Sequence, residues 1–311
     1  MCSGCGGCPP CGCPLSVRAA GLLAAGRKHR VSAVILRRIF LFLPRLLKVT
    51  LHGKIMVRAV FFDIDGTLVS FKTHRMPEST RKALEALRGQ GMKLFISTGR
   101  HELLIDNVDK SLFDGIVSLN GQCVRIGDEV IHTNAMPVED VRAAVAFVRK
   151  HGVATIFEGV DFIRMNAVTD MAREGAALIN LDLPEPTDIS DIPNHPILQL
   201  IFFGNIEQEE AVLRGMPACE ATRWTHLLCD IIPRGGGKHI GIQKVLDHYG
   251  FAREECMAFG DGDNDITMLR YAGIGVAMGN ADAAVKAAAD YVTTGTDASG
   301  IAKALRHFGM L

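Results

Sequence analysis

The stretch VRAVFFDIDGTLVS, residues 57–70, decides how the rest of the chain is read. Its first half, VRAVFF, is an apolar run of strand length, too short for an independent helix and without the polar alternation of a half-exposed strand. It ends on Asp63 and Asp65, which share one side of an extended chain because residues i and i+2 do. Gly66 and Thr67 then let the chain turn away while offering backbone N–H groups. Two carboxylates at the end of a buried strand cost several kcal/mol unless something cationic compensates them. In open α/β sheets that position is also where ligands bind.

Outward from this strand, short apolar runs alternate with helical patterns, the signature of βαβ units and a parallel sheet. Glu78–Arg88 reads as a helix with Ala83, Leu84 and Leu87 on one face. Lys93–Ser97 and Gly115–Leu119 read as strands, and Gln122–Arg125 with Glu129–His132 as a hairpin. After Pro137 the pattern changes to a mixed block of helices and strands. That block contains a Pro/Asp-rich linker, LDLPEPTDISDIPNHP (181–196), and ends in strands between Ala218 and Ile232. Regular alternation resumes from Lys238 to the last helix near His307. The expectation is a doubly wound, Rossmann-like parallel-sheet core over 56–133 and 229–311, with 134–228 inserted as a second α/β module.

A second acidic cluster, FGDGDNDITML (259–269), places Asp261, Asp263, Asn264 and Asp265 on the turn between a strand and a helix. Carboxylates gathered from two strand ends form a hard-cation site, and Mg²⁺ suits a few carboxylates, retained waters and a phosphate. A calcium loop is excluded: Ile266 stands where the EF-hand glycine belongs, and Ala272 where its closing Glu belongs. Two further segments suit anions. Ser97-Thr98-Gly99-Arg100 closes the second strand and is expected to open a helix, whose N-terminus with the Thr98 hydroxyl could hold phosphate oxygens. Lys238 follows Arg234-Gly235-Gly236-Gly237 at the start of another helix and could place a cation on the same phosphate; the spacing is not that of a P-loop. Each segment alone is weak, and it is their order on successive strand ends that is specific.

Together these segments resemble the four motifs of the haloacid dehalogenase (HAD) superfamily, in the Cof-like group with an inserted α/β cap. The resemblance spans 56–311 and rests on DIDGTL, STGR, SLNG, the lysine after a Gly-rich turn, GDGDNDITML, GVAMGNA and AADYVT. Residues 61–80, with Arg223-Trp224 in the insert, are closer still to hexose-phosphate phosphatases of Bacteroides type. The resemblance implies a Mg²⁺-dependent phosphomonoesterase in which Asp63 is the nucleophile, forming an aspartyl phosphate, and Asp65 the general acid and base. It also implies metal ligation by Asp63, the Asp65 backbone carbonyl and Asp261, and phosphate or substrate binding by Gly66, Thr98, Gly99, Arg100, Lys238 and Asn264. Asp265 is implied as an orienting group for Lys238 or a metal ligand. Polar residues of the insert, among them Glu158, Arg164 and Asn166, are candidates to choose a small phosphorylated metabolite. A phosphosugar mutase using the same aspartyl-phosphate chemistry is the alternative.

Charge separates the chain at Met56. There are 34 Lys+Arg and 34 Asp+Glu in the 311 residues. Residues 1–55 hold nine of the basic residues and no acid, so the remainder carries 25 against 34. The balance argues against nucleic-acid binding by the whole chain. The Cys2, Cys5, Cys8, Cys11 spacing resembles iron–sulfur or zinc ligation, but nothing around it positions ligands, and a disordered tail is the simpler expectation. Residues 31–51 are apolar but interrupted by Arg37, Arg38, Pro44 and Arg45, which argues against a membrane span. The simplest expectation is translation from Met56, with residues 1–55 an upstream extension, and a cytoplasmic, monomeric enzyme over 56–311 without membrane association. Cys123, Cys219, Cys229 and Cys256 are scattered without a disulfide framework, which fits a reducing compartment.

Overall fold

The computed structural model describes residues 56–311. The cysteine-rich start, the basic apolar stretch and the expectations placed on 1–55 lie outside the described residues. Strand β1 (Ala59–Phe62) is buried along its whole length and pairs in parallel on both sides. One neighbour is β2 (Lys93–Ser97), and the other, β11 (Cys256–Gly260), lies far along the chain. β1 thus stands where the strand order reverses: β3 (Gly115–Ser118) continues beyond β2, while β12 (Ile274–Ala277) and β13 (Tyr291–Val292) continue beyond β11. An antiparallel hairpin, β4 (Cys123–Ile126) and β5 (Glu129–Thr133), completes an eight-stranded sheet.

Both faces of this sheet are covered, which explains why its strands are nearly continuous apolar runs. Val60, Phe62, Leu94 and Ile96 face Leu84 and Leu87 of α1 (Glu78–Gly89) and residues near the C-terminus. Ala59, Phe61 and Phe95 face Ile242, Val245 and Leu246 of α5 (Lys238–Tyr249). The phenylalanines on opposite sides each stack on a neighbouring strand, Phe61 on Phe95 with ring centroids 5.0 Å apart and Phe62 on Phe259 at 5.1 Å. Such pairs contribute ~1 kcal/mol each beyond area burial and hold β1 rigidly beneath the carboxylates.

The inserted block forms its own antiparallel sheet of five strands, order β7-β6-β8-β10-β9. The strands are β6 (Ala154–Glu158), β7 (Ile163–Met165), β8 (Gln199–Phe203), β9 (Cys219–Thr225) and β10 (Leu228–Pro233). Helices α2 (Val138–His151) and α4 (Ile206–Leu213) cover the face carrying Phe157, Leu200, Phe202, Cys229 and Ile231. Helix α3 (Asp170–Leu178) covers part of the other, with Ala172 and Ala176 against Ile156, Ile201 and Leu228.

The expected division at 228/229 places β10 with the core, and the sheet pairing contradicts it. Cys229 pairs with Phe202 and Arg223, and Ile231 with Leu200 and Ala221, so the strand belongs to the inserted sheet through Pro233. An apolar run suits either sheet; the hairpin with β9 decides which. The segment 181–196 is also less of a free linker than its composition suggests, because Ile189 and Ile192 are buried beneath α2. The alanine-rich stretch after β12 is helical only over Ala283–Ala288. The helix expected after the acidic turn begins as a 3₁₀ turn, Asp263–Asp265, before α6 (Ile266–Tyr271).

Candidate active site

The carboxyl ends of β1 and β11 are adjacent because Phe62 registers with Phe259, and the Asp63 N–H donates to the Phe259 carbonyl at 3.0 Å. Asp63 and the turn carrying Asp261 and Asp265 therefore meet, although about 200 residues separate them. Carboxylate oxygens of Asp63, Asp261 and Asp265 lie within 4.8 Å of one another. Lys238, the first residue of α5 and fully buried, sits among them. Its Nζ donates to Asp63 Oδ1 at 2.7 Å and to Asp265 Oδ1 at 2.6 Å. Burial alone would lower the lysine's pKa, but the charges of Asp265 and Asp63 outweigh it and the ammonium is held above its ordinary value.

Asp265 spends its oxygens on the protein itself. Oδ2 accepts from the Asp261 and Gly262 N–H groups, both at 2.9 Å, which shapes the turn, while Oδ1 aims the lysine. Asp261 accepts from the Thr67 hydroxyl at 2.8 Å and from Asn280 Nδ2 at 2.9 Å. Burial, then Asp265, raises the Asp261 pKa to about 7. Asp63 is raised well above the usual carboxylate range, first by burial and then by Asp265, with Lys238 opposing. One ammonium does not neutralise three crowded carboxylates. An oxygen-rich cluster with excess negative charge is the donor set a hard divalent cation requires, so the residues present fit one.

Several expected binding residues take part differently from their sequence reading. The Gly66 N–H donates to the Val69 carbonyl at 2.8 Å and the Thr67 N–H to that of Ile64 at 3.3 Å, so the turn itself consumes both amides. Gly66 matters for what it lacks: φ is +80°, and a Cβ there would lie 2.1 Å from Asp261 Oδ2. No α-helix opens after Thr98. A 3₁₀ turn, Glu102–Leu104, follows instead, capped by the His101 ring, while the Thr98 hydroxyl accepts from the Arg100 N–H at 3.1 Å. Arg100 grips Asp65 with two bonds, Nε to Oδ2 at 2.7 Å and Nη2 to Oδ1 at 2.6 Å. It thereby fixes the carboxyl next to Asp63 in the motif.

Asn120 has no assigned role in the sequence reading, although SLNG is among its motifs. Leu119 and Asn120 both adopt the left-handed region, φ +51° and +52°, which non-glycine residues hold only under constraint. Asn120 Oδ1 accepts from Asn264 Nδ2 at 3.0 Å, and its Nδ2 donates to Asp230 Oδ2 at 2.8 Å and Gln199 Oε1 at 2.9 Å. It thus joins the acidic turn to the inserted sheet. Its available signal was the polar residue in a strand-end loop, but all three of its side-chain partners are far away in sequence. Of the three insert candidates, Arg164 instead pairs with Asp191 at 2.8 Å. Asn166 bonds the backbone of Thr155 and Val153, closing the β6–β7 hairpin. Glu158 alone is buried beside the junction with the core.

The family model of haloacid dehalogenase-like hydrolases matches residues 60–305. The chain belongs to the haloacid dehalogenase superfamily. It is a phosphatase of that superfamily, with the α/β fold of its solved members. The HAD subclass IIB sugar phosphatase BT4131 is 43% identical, covering 82% of this chain and 100% of its own, with a TM-score of 0.76. BT1666 of Bacteroides thetaiotaomicron, also a phosphatase of this superfamily, is 36% identical over 84% and 98%, with a TM-score of 0.77. YitU of Bacillus subtilis (strain 168), a 5-amino-6-(5-phospho-D-ribitylamino)uracil phosphatase, is 28% identical, covering 80% of this chain and 96% of its own. The leaving groups of such HAD phosphatases differ, so membership leaves this chain's substrate open. No helix among the described residues is long and apolar enough to cross a membrane.

Proposed function

We propose that the chain is a Mg²⁺-dependent phosphomonoesterase of small phosphorylated metabolites, hexose and other sugar phosphates foremost, acting as a cytoplasmic monomer. The reading rests above all on Lys238 buried between Asp63 and Asp265 at the strand-order switch. The core covers the eight-stranded sheet and its helices, and the cap the five-stranded sheet, crossing near Asn134–Pro137 and Arg234–Gly237.

Asp63, at the rigid end of β1, attacks phosphorus. The P–O bond to the leaving alcohol breaks, and Asp65, entering this step protonated with one oxygen released from Arg100, gives the leaving oxygen that proton. Asp65 then takes a proton from water as the water oxygen attacks the aspartyl phosphate, releasing inorganic phosphate and restoring both carboxyls. Lys238, Thr98 and Asn264 hold the phosphoryl oxygens, and most of the rate enhancement comes from such positioning and electrostatics. Asp63, Asp261 and the Asp65 carbonyl would hold Mg²⁺, which supplies the charge neutralisation that an anionic nucleophile needs to approach an anionic ester.

The test is phosphate release from p-nitrophenyl phosphate and hexose phosphates by wild type and Asp63→Asn. The variant should lose turnover while keeping its circular dichroism spectrum and thermal transition. Turnover in Asp63→Asn at the wild-type rate would refute the nucleophile assignment. Dependence on an added bisphosphate activator would favour the mutase instead.

A further inference from the structure

Above the acidic turn, the inserted sheet turns two carboxyls, Glu158 and Asp230, toward the core. Glu158 registers with Gln199, and Asp230 with Ile201, two residues further along the same strand, so all three polar side chains share one sheet face. Glu158 is fully buried and Asp230 nearly so. Among the described residues no Lys, Arg or His hydrogen-bonds or ion-pairs with either. Their partners are neutral donors: Gln199 Nε2 to Glu158 Oε2 at 2.9 Å, and Trp224 Nε1 and Asn120 Nδ2 to Asp230 Oδ2 at 2.9 and 2.8 Å. Gln199 also donates to the Gly99 carbonyl at 3.0 Å, and the Trp224 ring lies against Gly99. The cluster is therefore joined to the strand end carrying Thr98 on one side and, through Asn120, to Asn264 on the other.

One atom in this closed network has no partner. Glu158 Oε1 is buried and makes no hydrogen bond. An orphaned buried oxygen is costly, and such atoms in folded proteins generally await a donor from elsewhere. Burial and then Asp230 raise the Glu158 pKa well above the usual range; burial brings Asp230 to about 7. The pair shares hydrogens with neutral donors; the one cation whose charge reaches Asp230, Lys238, is already bonded to Asp63 and Asp265, so a second anionic group would find no free positive charge at this face.

We infer that Glu158 and Asp230 form the leaving-group subsite, receiving hydroxyls of an uncharged polyol and turning away leaving groups that carry a second phosphate or carboxylate. The subsite rests on the phosphomonoesterase reading above and narrows it to monophosphates. It also opposes the mutase alternative, whose sugar bisphosphate intermediate would have to seat its second phosphate against these carboxyls.

The test compares kcat/KM for a hexose monophosphate, the corresponding hexose bisphosphate and p-nitrophenyl phosphate, in wild type, Glu158→Gln and Asp230→Asn. Wild type should prefer the monophosphate over the bisphosphate by ~100-fold or more. In each variant the ratio of hexose monophosphate to p-nitrophenyl phosphate should fall by at least ~10-fold, as for loss of a hydrogen bond to an ionisable partner. Rejection of the bisphosphate should weaken alongside it. Wild-type use of the bisphosphate within ~3-fold of the monophosphate overturns the subsite without needing any variant to fold. Unmoved ratios in both well-folded variants overturn it too, while leaving Asp63-dependent hydrolysis intact. Absence of phosphate release from all three esters overturns the hydrolase reading and the subsite with it.

Discussion

Replacing Lys238 by Met tests whether charge compensation organises the site. The lysine is completely buried and bonded to two carboxylates at 2.7 and 2.6 Å, so methionine keeps the volume while removing the one ammonium they share. Breaking a buried pair by deleting one partner costs ~3–5 kcal/mol, because the survivors remain in a low-dielectric setting without their counter-charge. With a urea dependence of ~3 kcal/mol per M, the unfolding midpoint should fall by ~1–2 M. The measurement belongs in chelator, so that no bound cation stands in for the ammonium. Two refinements isolate the cause. Adding Asp265→Asn to Lys238→Met removes one of the stranded charges and should recover ~1 kcal/mol or more. Lowering the pH protonates the stranded carboxyls and should narrow the gap to wild type. In wild type the Lys238 ammonium is held above its ordinary 10.5, so its contribution is complete below that pH and lost only as pH rises beyond it. A midpoint shift under ~0.3 M, or a double variant no more stable than the single one, would refute the reasoning.

Three other outcomes follow from the same geometry. Gly66→Ala must place a Cβ 2.1 Å from Asp261 Oδ2 at φ +80°, so it should cost ~1–3 kcal/mol of stability and abolish most turnover, read by thermal unfolding and phosphate release. Asp230 holds its proton to about pH 7 in the folded protein against 3.8 in the unfolded chain, so between those values wild type loses stability as pH rises. Asp230→Asn should flatten that fall, by up to ~4 kcal/mol across the window, in denaturant titrations at pH 4.5, 6 and 8. Finally, dialysis against EDTA should remove activity and Mg²⁺ should restore it; full turnover by protein that elemental analysis shows to be metal-free would contradict the cation reading.

Most of the core was legible because its signals are local. An apolar run of strand length beginning at Val57 and ending on Asp63 and Asp65 announces a buried parallel strand whatever its neighbours, and the same logic applies to Cys256–Gly260 before Asp261. Side-chain period and burial cost are properties of a few consecutive residues. The readings that changed all depended on which partner claims each group once the chain has turned, which residue type and spacing do not state. Gly66 and Thr67 looked like free amide donors until the turn's own carbonyls claimed them. Thr98 looked like a helix start, but the chain beyond it forms only the 3₁₀ turn Glu102–Leu104 capped by His101. The division at 228/229 put residues 229–233 with the core, because an apolar run pairs equally well with either sheet until β9 folds back on it.

The sequence by itself therefore determined the doubly wound core, the family and the gathering of carboxylates at two strand ends, since these follow from residue type and spacing. Only the tertiary structure decided which carboxylates share Lys238, that Arg100 holds Asp65, and that Asn120 joins Asp230, 110 residues on, to Asn264, 144 residues on. Hydrogen bonding saturates: each donor and acceptor is spent on whichever partner the folded chain brings nearest, and that choice is not written in local spacing. The same saturation leaves Glu158 Oε1 without a partner, a vacancy visible only after every other bond has been assigned.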